Sequence, residues 1–336
     1  AANNVMTARK EKTLGLTIKK SEDFSEWYQQ LVLKAELADY TAVSGCIVFR
    51  PYSYAIWEEV QKVLDVGIKA RGYKNAYFPL FIPEGLFSKE KEHVSGFTPE
   101  VAWVTKAGDT ELGEKLAIRP TSETIMYESF AKWIRSWRDL PLKINQWCNI
   151  VRWEFKYAKP FIRTREFLWQ EAHSAHATKE EADKEVAESL QLYRSIVEDY
   201  LAIPAVAGKK SEKEKFAGAV YTTTLETLMP DGKALQMATS HMLGQNFSKA
   251  FGISFLNRSG QKEHPWQTSW GLTTRVIGAV VMAHGDDSGL VLPPKIAPIQ
   301  VIIVPILFEE SKTKVAAAAE KIKKTLSAVA RVEVDA

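Results

Sequence analysis

The sequence predicts an α+β fold in which an antiparallel β-sheet is flanked by helices and is followed by the start of an α/β domain. Three observations support this prediction. Apolar and polar residues alternate with period two in two runs between residues 151 and 176. Several other segments have apolar residues at helical spacing. Near the end of the chain an apolar strand, a helix and a second strand follow one another, which is typical of a parallel β-α-β unit.

The first half of the chain is predicted to contain three amphipathic helices and one apolar strand. Apolar residues recur at helical spacing over residues 22–36, and Pro51 opens a second helix that Gly72 closes. An apolar strand is expected over residues 75–83. A third helix begins near Ser122, and its buried side is expected to carry Met126, Phe130, Trp133 and Trp137.

Residues 151–176 are predicted to form two antiparallel strands joined by a connection at 157–160, because proline cannot donate to the ladder of a central strand. In the second strand one face carries Arg163, Arg165, Phe167, Trp169, Glu171 and His173, and the other carries Ile162, Thr164, Leu168 and Ala172. Large aromatic side chains interleaved with arginines and carboxylates favour a concave site for a flat, anionic ligand. The alternative is a solvated sheet face with cross-strand ion pairs.

The second half of the chain alternates helices, loops and strands. Thr178 and Glu181 predict a capping box ahead of an amphipathic helix over residues 179–201. The charge run at 208–215 is predicted to be a solvated loop. Strands are then expected at 220–228, 253–258 and 275–284. Three prolines within 292–298 predict a linker, which is followed by a strand at 299–306, a helix at 310–328 and a strand at 331–334.

Composition excludes several classes of protein. The 336 residues are 46% hydrophobic and 25% charged with a net charge of +3, so the chain is an ordinary globular protein without a strong polyelectrolyte field. Cys46 and Cys148 stand far apart, which indicates neither a disulfide framework nor a cysteine-built zinc site. No stretch is apolar enough to predict a membrane span, and the N-terminus has no apolar signal region. We therefore expect a cytoplasmic protein.

Common nucleotide and hydrolase signatures are absent from the sequence. It contains no glycine-rich phosphate loop of the G-x-x-x-x-G-K-[ST] type, no G-x-G-x-x-G after a strand, no H-E-x-x-H and no G-x-S-x-G. If the chain binds a nucleotide, arginines and sheet residues must hold it. His173 and His176 have a spacing that suits a metal, but no third or fourth ligand stands nearby, which disfavours a metal site.

Three further segments carry polar residues with alternative interpretations. In RPTSET (119–124), Thr121 and Glu123 either belong to a helix cap or clamp a substrate ammonium. In 235–251, Gln236, Thr239, Ser240 and His241 precede a short helix, and the histidine is either structural or catalytic. Arg275 ends a polar turn and enters an apolar strand. Such an arginine must find an anion, either a protein carboxylate or a ligand phosphate.

Taken in order, these segments resemble those of one enzyme family, the prolyl-tRNA synthetases of the archaeal and eukaryotic kind. The matching segments are GCIVFRPYSYAIWEEV…YFPLFIP, RPTSE, VRWE…PFIRTREFLWQEAHSAH, TSHMLGQNFSKAF and SWGLTTR…HGDDSGLVLPP. The resemblance runs from about residue 13 to the end of the chain. RTREFLWQE and SWGLTTR are signatures of this subfamily and are not general to class II synthetases.

The resemblance implies a class II synthetase catalytic core followed by the start of an anticodon-binding domain. The expected parts are an N-terminal extension (1–20), the catalytic domain (21–296) and the opening β-α-β unit of the anticodon-binding domain (297–336), which is cut short. The implied activity joins L-proline and ATP to prolyl-adenylate, with Mg²⁺, and then transfers the prolyl group to tRNA(Pro). Neither step needs a protein nucleophile, so positioning and charge stabilisation should dominate the site.

The resemblance also implies roles for individual residues. Arg152 and Arg275 are the expected catalytic residues, with Arg152 bridging the proline carboxylate and the α-phosphate. ATP is expected to contact Arg152, Glu154, Arg163, Thr164, Phe167, Gln236, Thr239 and Arg275, with Gln236 near Mg²⁺. Proline is expected to contact Thr121, Glu123, Arg152, Trp169, Glu171, His173, Phe216 and His241.

Two competing interpretations remain, and the same resemblance predicts the assembly. A non-catalytic paralogue is disfavoured because neither the arginines nor the Thr121–Glu123 pair is lost. A threonine or serine specificity would require other walls in place of Trp169 and Phe216. By resemblance, residues 45–83 form a homodimer interface. The bacterial-type enzymes of the family carry an editing domain between the motif that contains Arg152 and the motif that contains Arg275. The 123 positions between these two arginines are too few here, so we expect no editing by this chain.

Overall fold

A central seven-stranded sheet organises the molecule in the computed structural model, which describes residues 15–87 and 100–335. The helices are α1 (Phe24–Lys34), α2 (Pro51–Ala70), α3 (Glu123–Trp133), α4 (Lys179–Ser195), α5 (Asn246–Ala250), α6 (Arg275–His284) and α7 (Lys312–Leu326). The strands are β1 (Ala38–Tyr40), β2 (Ile47–Phe49), β3 (Lys74–Asn75), β4 (Phe81–Pro83), β5 (Trp103–Ala107), β6 (Thr110–Ile118), β7 (Leu142–Val151), β8 (Glu166–His176), β9 (Val206–Lys209), β10 (Tyr221–Leu228), β11 (Ala234–Gly244), β12 (Phe255–Leu256), β13 (Lys262–Glu263), β14 (Trp266–Thr273), β15 (Val301–Ile303) and β16 (Val332–Val334). Most of the predicted N-terminal extension, residues 1–14, lies outside the described residues.

The central sheet has the order β3-β7-β8-β14-β11-β10-β9. All neighbours in it are antiparallel except β3 and β7. This confirms the predicted antiparallel sheet. Strands β15 and β16 are parallel and are joined through α7, so the β-α-β unit at the end of the chain is also confirmed.

One face of the central sheet is sealed by helices. The side chains of α1, α2, α4 and α6 pack with those of β8, β11 and β14 in one cluster, in which Trp27, Trp57 and Trp270 are at most 1% exposed. Trp270 packs edge-on against Tyr73 and Tyr193, and its indole nitrogen donates to the Tyr73 hydroxyl at 2.9 Å. Because the Trp270 ring is buried and its N–H has a partner, Trp270 is a fully satisfied part of this core.

The opposite face is covered over only part of its length. There α3 and α5 pack on the sheet through Met126, Phe130 and Phe247, which are fully buried. Strand periodicity places Ala172 and Trp270 in the sealed core and their neighbours Glu171 and Gly271 on this second face. The uncovered part of that face forms a cleft.

The structure corrects the prediction around Arg275. Residues 275–284, predicted to be a strand, form helix α6. Most of residues 269–275, predicted to be a polar turn, belong to β14 (Trp266–Thr273). A run that is apolar on every side has no period, so its pattern cannot distinguish a buried helix from a buried strand. Nearly all of α6 is buried, which explains the absence of a polar face.

The charged segment is also corrected in detail. The two strands are antiparallel as predicted, but β7 ends at Val151 and β8 begins at Glu166, so residues 152–165 are a connecting loop. Thr164, predicted on the face opposite Arg163, therefore lines the same cleft as Arg163. Arg165 does not line it and stacks on Trp153, with its guanidinium carbon 4.1 Å from the ring centroid.

Smaller differences concern helix and strand ends. Trp133 is 47% exposed, and Trp137 belongs to a separate 3-10 turn, so neither lies on the buried side of α3. The capping box of Thr178 and Glu181 is confirmed, although α4 ends at Ser195 and continues as a π turn to Tyr200. The predicted strands at 75–83, 253–258 and 299–306 are shorter in the structure, and the loop predicted at 208–215 begins two residues later because β9 ends at Lys209.

The described part of the chain contains no helix that is both long enough and apolar enough to cross a lipid bilayer.

Candidate active site

The cleft on the second face of the central sheet gathers nearly all of the predicted site residues. It is lined by Thr121, Glu123, Arg152, Arg163, Thr164, Phe167, Trp169, Glu171, His173, Phe216, Gln236, Thr239, His241 and Arg275. Glu154 is the exception: it does not line the cleft, although its charge acts on Arg152. Residues from six separate segments of the sequence thus converge on one concave surface, which is the usual form of a small-molecule site.

Strand register sets the floor of the cleft in two rows. The first row is His173, Ser269 and His241, and the second is Glu171, Gly271 and Thr239. Gly271 has no side chain to project into the cleft. A Cβ there would lie 3.3 Å from the Gln170 carbonyl and 3.6 Å from the Trp169 ring. The floor is therefore polar at both edges and open at its centre.

Arg152 follows β7 directly and stands beside the aromatic wall of the cleft. Its Nε donates to the Pro120 carbonyl at 3.0 Å, and its guanidinium carbon lies 5.5 Å from the Phe167 ring centroid and 5.9 Å from that of Trp169. Burial lowers the pKa of Arg152, while nearby carboxylates, Glu154 first, oppose this. Among the described residues no carboxylate oxygen comes within 4 Å of its guanidinium, so its charge is available to an anionic ligand.

Two more arginines make the cleft a strongly positive site. Arg275 begins α6, where Thr273 accepts a hydrogen bond from its backbone nitrogen. Burial lowers the pKa of Arg275, and the charges of Arg152 and Arg163 lower it further. Among the residues that the structure describes, its side chain makes only long hydrogen bonds, at 3.4 Å, to the carbonyls of Ile162 and Gln236. Three guanidinium groups that repel one another are stabilised when a polyanion such as a triphosphate enters between them.

Thr121 and Glu123 stand at the start of α3, opposite Arg152. The Thr121 hydroxyl donates to the Glu123 carboxylate. The two side chains present acceptor oxygens to the cleft, which both line. Ser122 is not a helix cap by its side chain and donates instead to Glu171. The clamp interpretation is therefore favoured over the capping one.

Glu171 and His173 form a buried hydrogen-bonded pair at the base of the cleft. The carboxylate accepts from the His173 ring at 3.1 Å and from Gln146 at 2.9 Å. Burial opposes ionisation of Glu171, but these bonds and that of Ser122 outweigh it and lower its pKa. Burial likewise disfavours the charge on His173, but Glu171 and Glu123 together raise its pKa. This pair shapes the cleft and fixes Ser122, next to the clamp.

His241 is a neutral wall of the cleft. Its two ring nitrogens pair with the hydroxyls of Thr222 at 2.9 Å and Thr239 at 3.0 Å, and the Phe216 ring lies 4.9 Å away. Burial, followed by the positive charges of His173, Lys210 and Arg152, lowers the pKa of His241 to about 3. The structural interpretation of this histidine is therefore favoured over an acid–base role at neutral pH.

Acid is expected to destabilise the protein through buried histidines. Burial lowers the pKa of His176 to about 4, as it lowers that of His241 to about 3, whereas both titrate near 6.5 when unfolded. Below pH 6.5 the unfolded chain binds more protons, so the free energy of unfolding falls as pH drops toward 4. The raised pKa of His173 acts in the opposite sense. We expect a loss on the order of 2 kcal/mol per depressed histidine at about pH 4.5.

Denaturant unfolding over a pH series checks this expectation. His176 lies in the sheet outside the cleft, and its ring shares a 2.8 Å hydrogen bond with the Ser174 hydroxyl. The variant His176→Gln therefore isolates the contribution of this histidine to the pH dependence of stability. The variant should show a shallower loss of stability between pH 6.5 and 4.5 than the parent. Identical slopes in the two proteins would contradict the assignment.

Several cleft residues were missed by sequence reasoning. Ser269, Gly271 and Thr273 line the floor, and their period of two would have identified them had β14 been recognised as a strand. Lys210 and Glu214, which belong to the charge run predicted to be a solvated loop, also line the cleft. Nothing in the run distinguishes these two charges from the others.

A second loop, residues 41–46, fixes the loop that carries the arginines. The Gly45 carbonyl accepts from the Arg165 backbone nitrogen at 2.8 Å, and the Ser44 carbonyl accepts from the Arg165 guanidinium at 2.9 Å. The Ser44 hydroxyl donates to the Lys156 carbonyl at 2.6 Å. Gly45 has a φ of +83°, and a Cβ on it would lie 2.7 Å from the Phe155 carbonyl oxygen. Glycine is therefore required for this close approach.

Metal-binding residues are sparse in the described ranges. Within 15–87 and 100–335, no group of three His, Cys, Asp or Glu side chains is placed to hold an ion. Gln236 lines the cleft, and its backbone carbonyl lies 3.4 Å from the Arg275 guanidinium. Mg²⁺ commonly takes one or two protein oxygens and completes its shell with waters and substrate phosphates, and Gln236 fits that pattern.

Comparisons with known proteins agree with the geometry. Residues 103–284 match the family model of the tRNA synthetase class II core domain (G, H, P, S and T). A proline–tRNA ligase of Cenarchaeum symbiosum is 59% identical over 93% of this chain and 66% of that protein. The cytoplasmic proline–tRNA ligase of Arabidopsis thaliana is 56% identical over 91% of this chain and 58% of that protein.

A solved structure shows the same fold. The crystal structure of prolyl-tRNA synthetase from Cryptosporidium parvum, complexed with halofuginone and AMPPNP, has a TM-score of 0.90 and 56% sequence identity. The match covers 96% of this chain and 67% of that one. The chain thus spans about two thirds or less of the length of these relatives.

Proposed function

The chain belongs to the prolyl-tRNA synthetase family of class II aminoacyl-tRNA synthetases, and we propose that it activates L-proline with ATP and transfers the prolyl group to tRNA(Pro). The observation that carries the proposal is the cluster of Arg152, Arg163 and Arg275 beside the Thr121–Glu123 pair in one cleft. The arginines suit a triphosphate and a carboxylate, and the acceptor pair suits an ammonium. The relatives compared above are named proline–tRNA ligase or prolyl-tRNA synthetase, and both names describe this reaction.

In the first step the proline carboxylate oxygen attacks the α-phosphorus of ATP. The new carboxylate–phosphorus bond forms as the bond from that phosphorus to the bridging oxygen breaks, and pyrophosphate leaves with its electron pair. Arg152 is assigned to neutralise both reactants and the developing charge on the α-phosphate, while Arg163 and Arg275 hold the outer phosphates. Gln236 would hold Mg²⁺, which when bound supplies further charge neutralisation.

Adenine and the phosphates are assigned to the end of the cleft nearer loop 152–165, which carries Arg152 and Arg163 and is called the arginine loop below. Phe167 presents its ring there beside Arg152. Thr164, Thr239 and Arg275 also line the cleft and are assigned to this end, and the charge of Glu154 acts on Arg152. The Arg275 guanidinium and the Phe167 ring would together form a stacking site for the purine, which a lysine ammonium would not supply.

The opposite end is assigned to proline. Thr121 and Glu123 would accept the two N–H bonds of its secondary ammonium, and the ring would lie among Trp169, Phe216 and the two histidines. Zinc-dependent selection of threonine requires a cysteine ligand, and neither Cys46 nor Cys148 lines the cleft in the described residues. No observation favours the non-catalytic alternative.

Exchange of labelled pyrophosphate into ATP tests the proposal. We expect exchange with proline, weaker exchange with alanine, and none above background with threonine or serine. Alanine should be activated because missing methylenes are discriminated by only about 1–3 kcal/mol. A folded chain that binds ATP and shows no proline-dependent exchange would overturn the proposed activity.

A homodimer built through residues 45–83 is part of the proposal. Several apolar side chains of this segment are strongly exposed in the single chain, among them Val48, Tyr54, Val66, Tyr77 and Phe81. Burial of such side chains against a second copy stabilises an isologous interface. Sedimentation should show a dimer at micromolar concentration, and a stable monomer would contradict this part. We also propose a cytoplasmic location, which is the one that the Arabidopsis relative's name gives for that protein.

A further inference from the structure

A basic surface patch lies beyond the far end of α3 from the cleft. Four exposed cations form it: Arg135, Arg138, Arg258 and Lys262. Within the part of the chain that the structure describes, none of their side-chain nitrogens lies within 4 Å of a carboxylate oxygen. Asp139 is close, but one of its oxygens already accepts the backbone N–H groups of Arg135 and Ser136 at 2.9 and 2.8 Å. We call these four residues, with Trp137, the Trp137 patch.

Trp137 orders two of the cations. The guanidinium carbon of Arg138 lies 4.9 Å from its ring centroid, and that of Arg258 lies 4.5 Å from it. A guanidinium over an indole keeps its N–H edge free for a phosphate, and its side chain loses less conformational freedom on binding. Two like charges held at one ring repel each other, and a polyanion relieves that repulsion.

The two halves of the patch are fixed to each other by backbone contacts. The Leu256 nitrogen donates to the Arg135 carbonyl at 2.9 Å, and Leu256 forms an isolated parallel bridge with Ser136. Arg258 and Lys262 belong to the β12–β13 hairpin that continues from this contact. Leu256 itself is 50% exposed between the cations. The backbone segments that carry the four cations are thus held together as one surface.

Helix α3 connects the patch to the proposed proline site. It begins at Glu123, which lines the cleft, and its 11 residues end at Trp133, next to the patch. At 1.5 Å per residue this separation is about 16 Å. An RNA with its 3′ end in the cleft therefore has phosphates within reach of the patch.

We propose that the Trp137 patch binds the phosphate backbone of the acceptor arm of the RNA whose 3′ end enters the cleft. The inference rests on the proposed function, because it takes tRNA as the second substrate. Charge complementarity favours RNA: the patch offers four cations and one exposed apolar side chain, and contacts to phosphates position an RNA without reading its sequence.

The test compares the chain with the double variant Arg138→Gln/Arg258→Gln. The matched control is Lys179→Gln/Lys184→Gln, which removes two exposed positive charges from α4, away from the patch. The probe is a fluorescein-labelled RNA hairpin of the acceptor arm with its single-stranded 3′ end, and binding is followed by fluorescence anisotropy between about 50 and 200 mM salt. Proline-dependent pyrophosphate exchange, which needs no RNA, is measured on all three proteins.

We expect the patch variant to bind the hairpin about tenfold or more weakly at low salt. The slope of log Kd against log salt concentration should fall by about 2, since each lost phosphate contact removes roughly one unit. The control should change Kd by less than about twofold, and exchange should be unchanged in both. The charge-preserving variant Arg138→Lys/Arg258→Lys should keep most of the salt dependence and bind with intermediate strength.

Two results would overturn the inference. One is equal RNA affinity in the patch variant and the control variant. The other is a chain that performs proline-dependent exchange and binds no hairpin at low salt. Failure of the proposed function is a separate result, because it appears as absent exchange in the unmodified chain.

Discussion

Arg152→Ala is expected to reduce proline-dependent pyrophosphate exchange by about 10³-fold or more without unfolding the protein. The side chain is half-buried beside Phe167 and Trp169. It is close enough to Glu123 and to Arg275 for their charges to interact with its own. Removing a single preorganised donor to a developing oxyanion commonly costs about 10²–10³ in rate. Arg152 is assigned to two reacting groups at once, so its loss should exceed that range.

Two further variants make this result specific. Arg152→Lys keeps the charge and loses the planar fork, so its exchange rate should lie between those of the parent and the alanine variant. Lys156→Ala removes an exposed cation from the same loop and should leave exchange within about twofold. Thermal unfolding checks that all three variants fold. An alanine variant at 152 that keeps more than about a tenth of the exchange would contradict the assigned role.

Gly45→Ala is the second change with a large expected effect, and we expect it to weaken ATP binding by displacing loop 152–165. A Cβ at residue 45 would meet the Phe155 carbonyl oxygen at 2.7 Å and the Arg165 side chain at 2.8 Å. Neither atom is the free end of a flexible side chain, because Arg165 is held by the Ser44 carbonyl and by Trp153. The loop 152–165 must shift, and it carries Arg152, Arg163 and Thr164. We expect the KM for ATP to rise about tenfold or more.

Gly72→Ala is a closely matched control. Gly72 has the same φ of +83°, but a Cβ there meets nothing within 4 Å. Both substitutions therefore impose the left-handed backbone cost of about 1–2 kcal/mol, and only Gly45→Ala adds the displacement of the arginine loop. Steady-state exchange kinetics over a range of ATP concentrations separate the effect of loop displacement from the backbone cost that both variants share. An equal KM for ATP in the two variants would show that loop 41–46 does not position the site.

Sequence periodicity was sufficient for the helices with one apolar face, such as α2, and for the existence of an antiparallel strand pair. It did not locate the first strand of that pair, because the run predicted from residue 151 onward is a loop and β7 (Leu142–Val151) precedes it. It failed for α6, which is buried on nearly all sides and has no polar face to reveal a period. It also failed for Thr164, since a one-residue alternation argument applies only within a strand, and residues 152–165 are a loop.

Many residues of the candidate site were predictable from the sequence, but their contacts with one another were not. Motifs supplied Arg152, Arg275 and the Thr121–Glu123 pair, which the structure gathers in one cleft. Which charged side chains of the cleft pair with each other was not predictable. That Glu171 is committed to His173 and Ser122, and that His241 is neutral, depends on contacts between β8, β11 and α3 that are distant in sequence. Such contacts follow from strand register, which the sequence alone left open.

Direct isolation of the intermediate tests the central claim, that this cleft joins proline to AMP. The chain is incubated with proline, Mg²⁺, α-labelled ATP and pyrophosphatase in the absence of tRNA, and protein-bound label is separated by gel filtration. We expect prolyl-adenylate at close to one molecule per active site with proline, and almost none with threonine or with Arg152→Ala. A folded chain that binds ATP but forms no proline-dependent adenylate would contradict it.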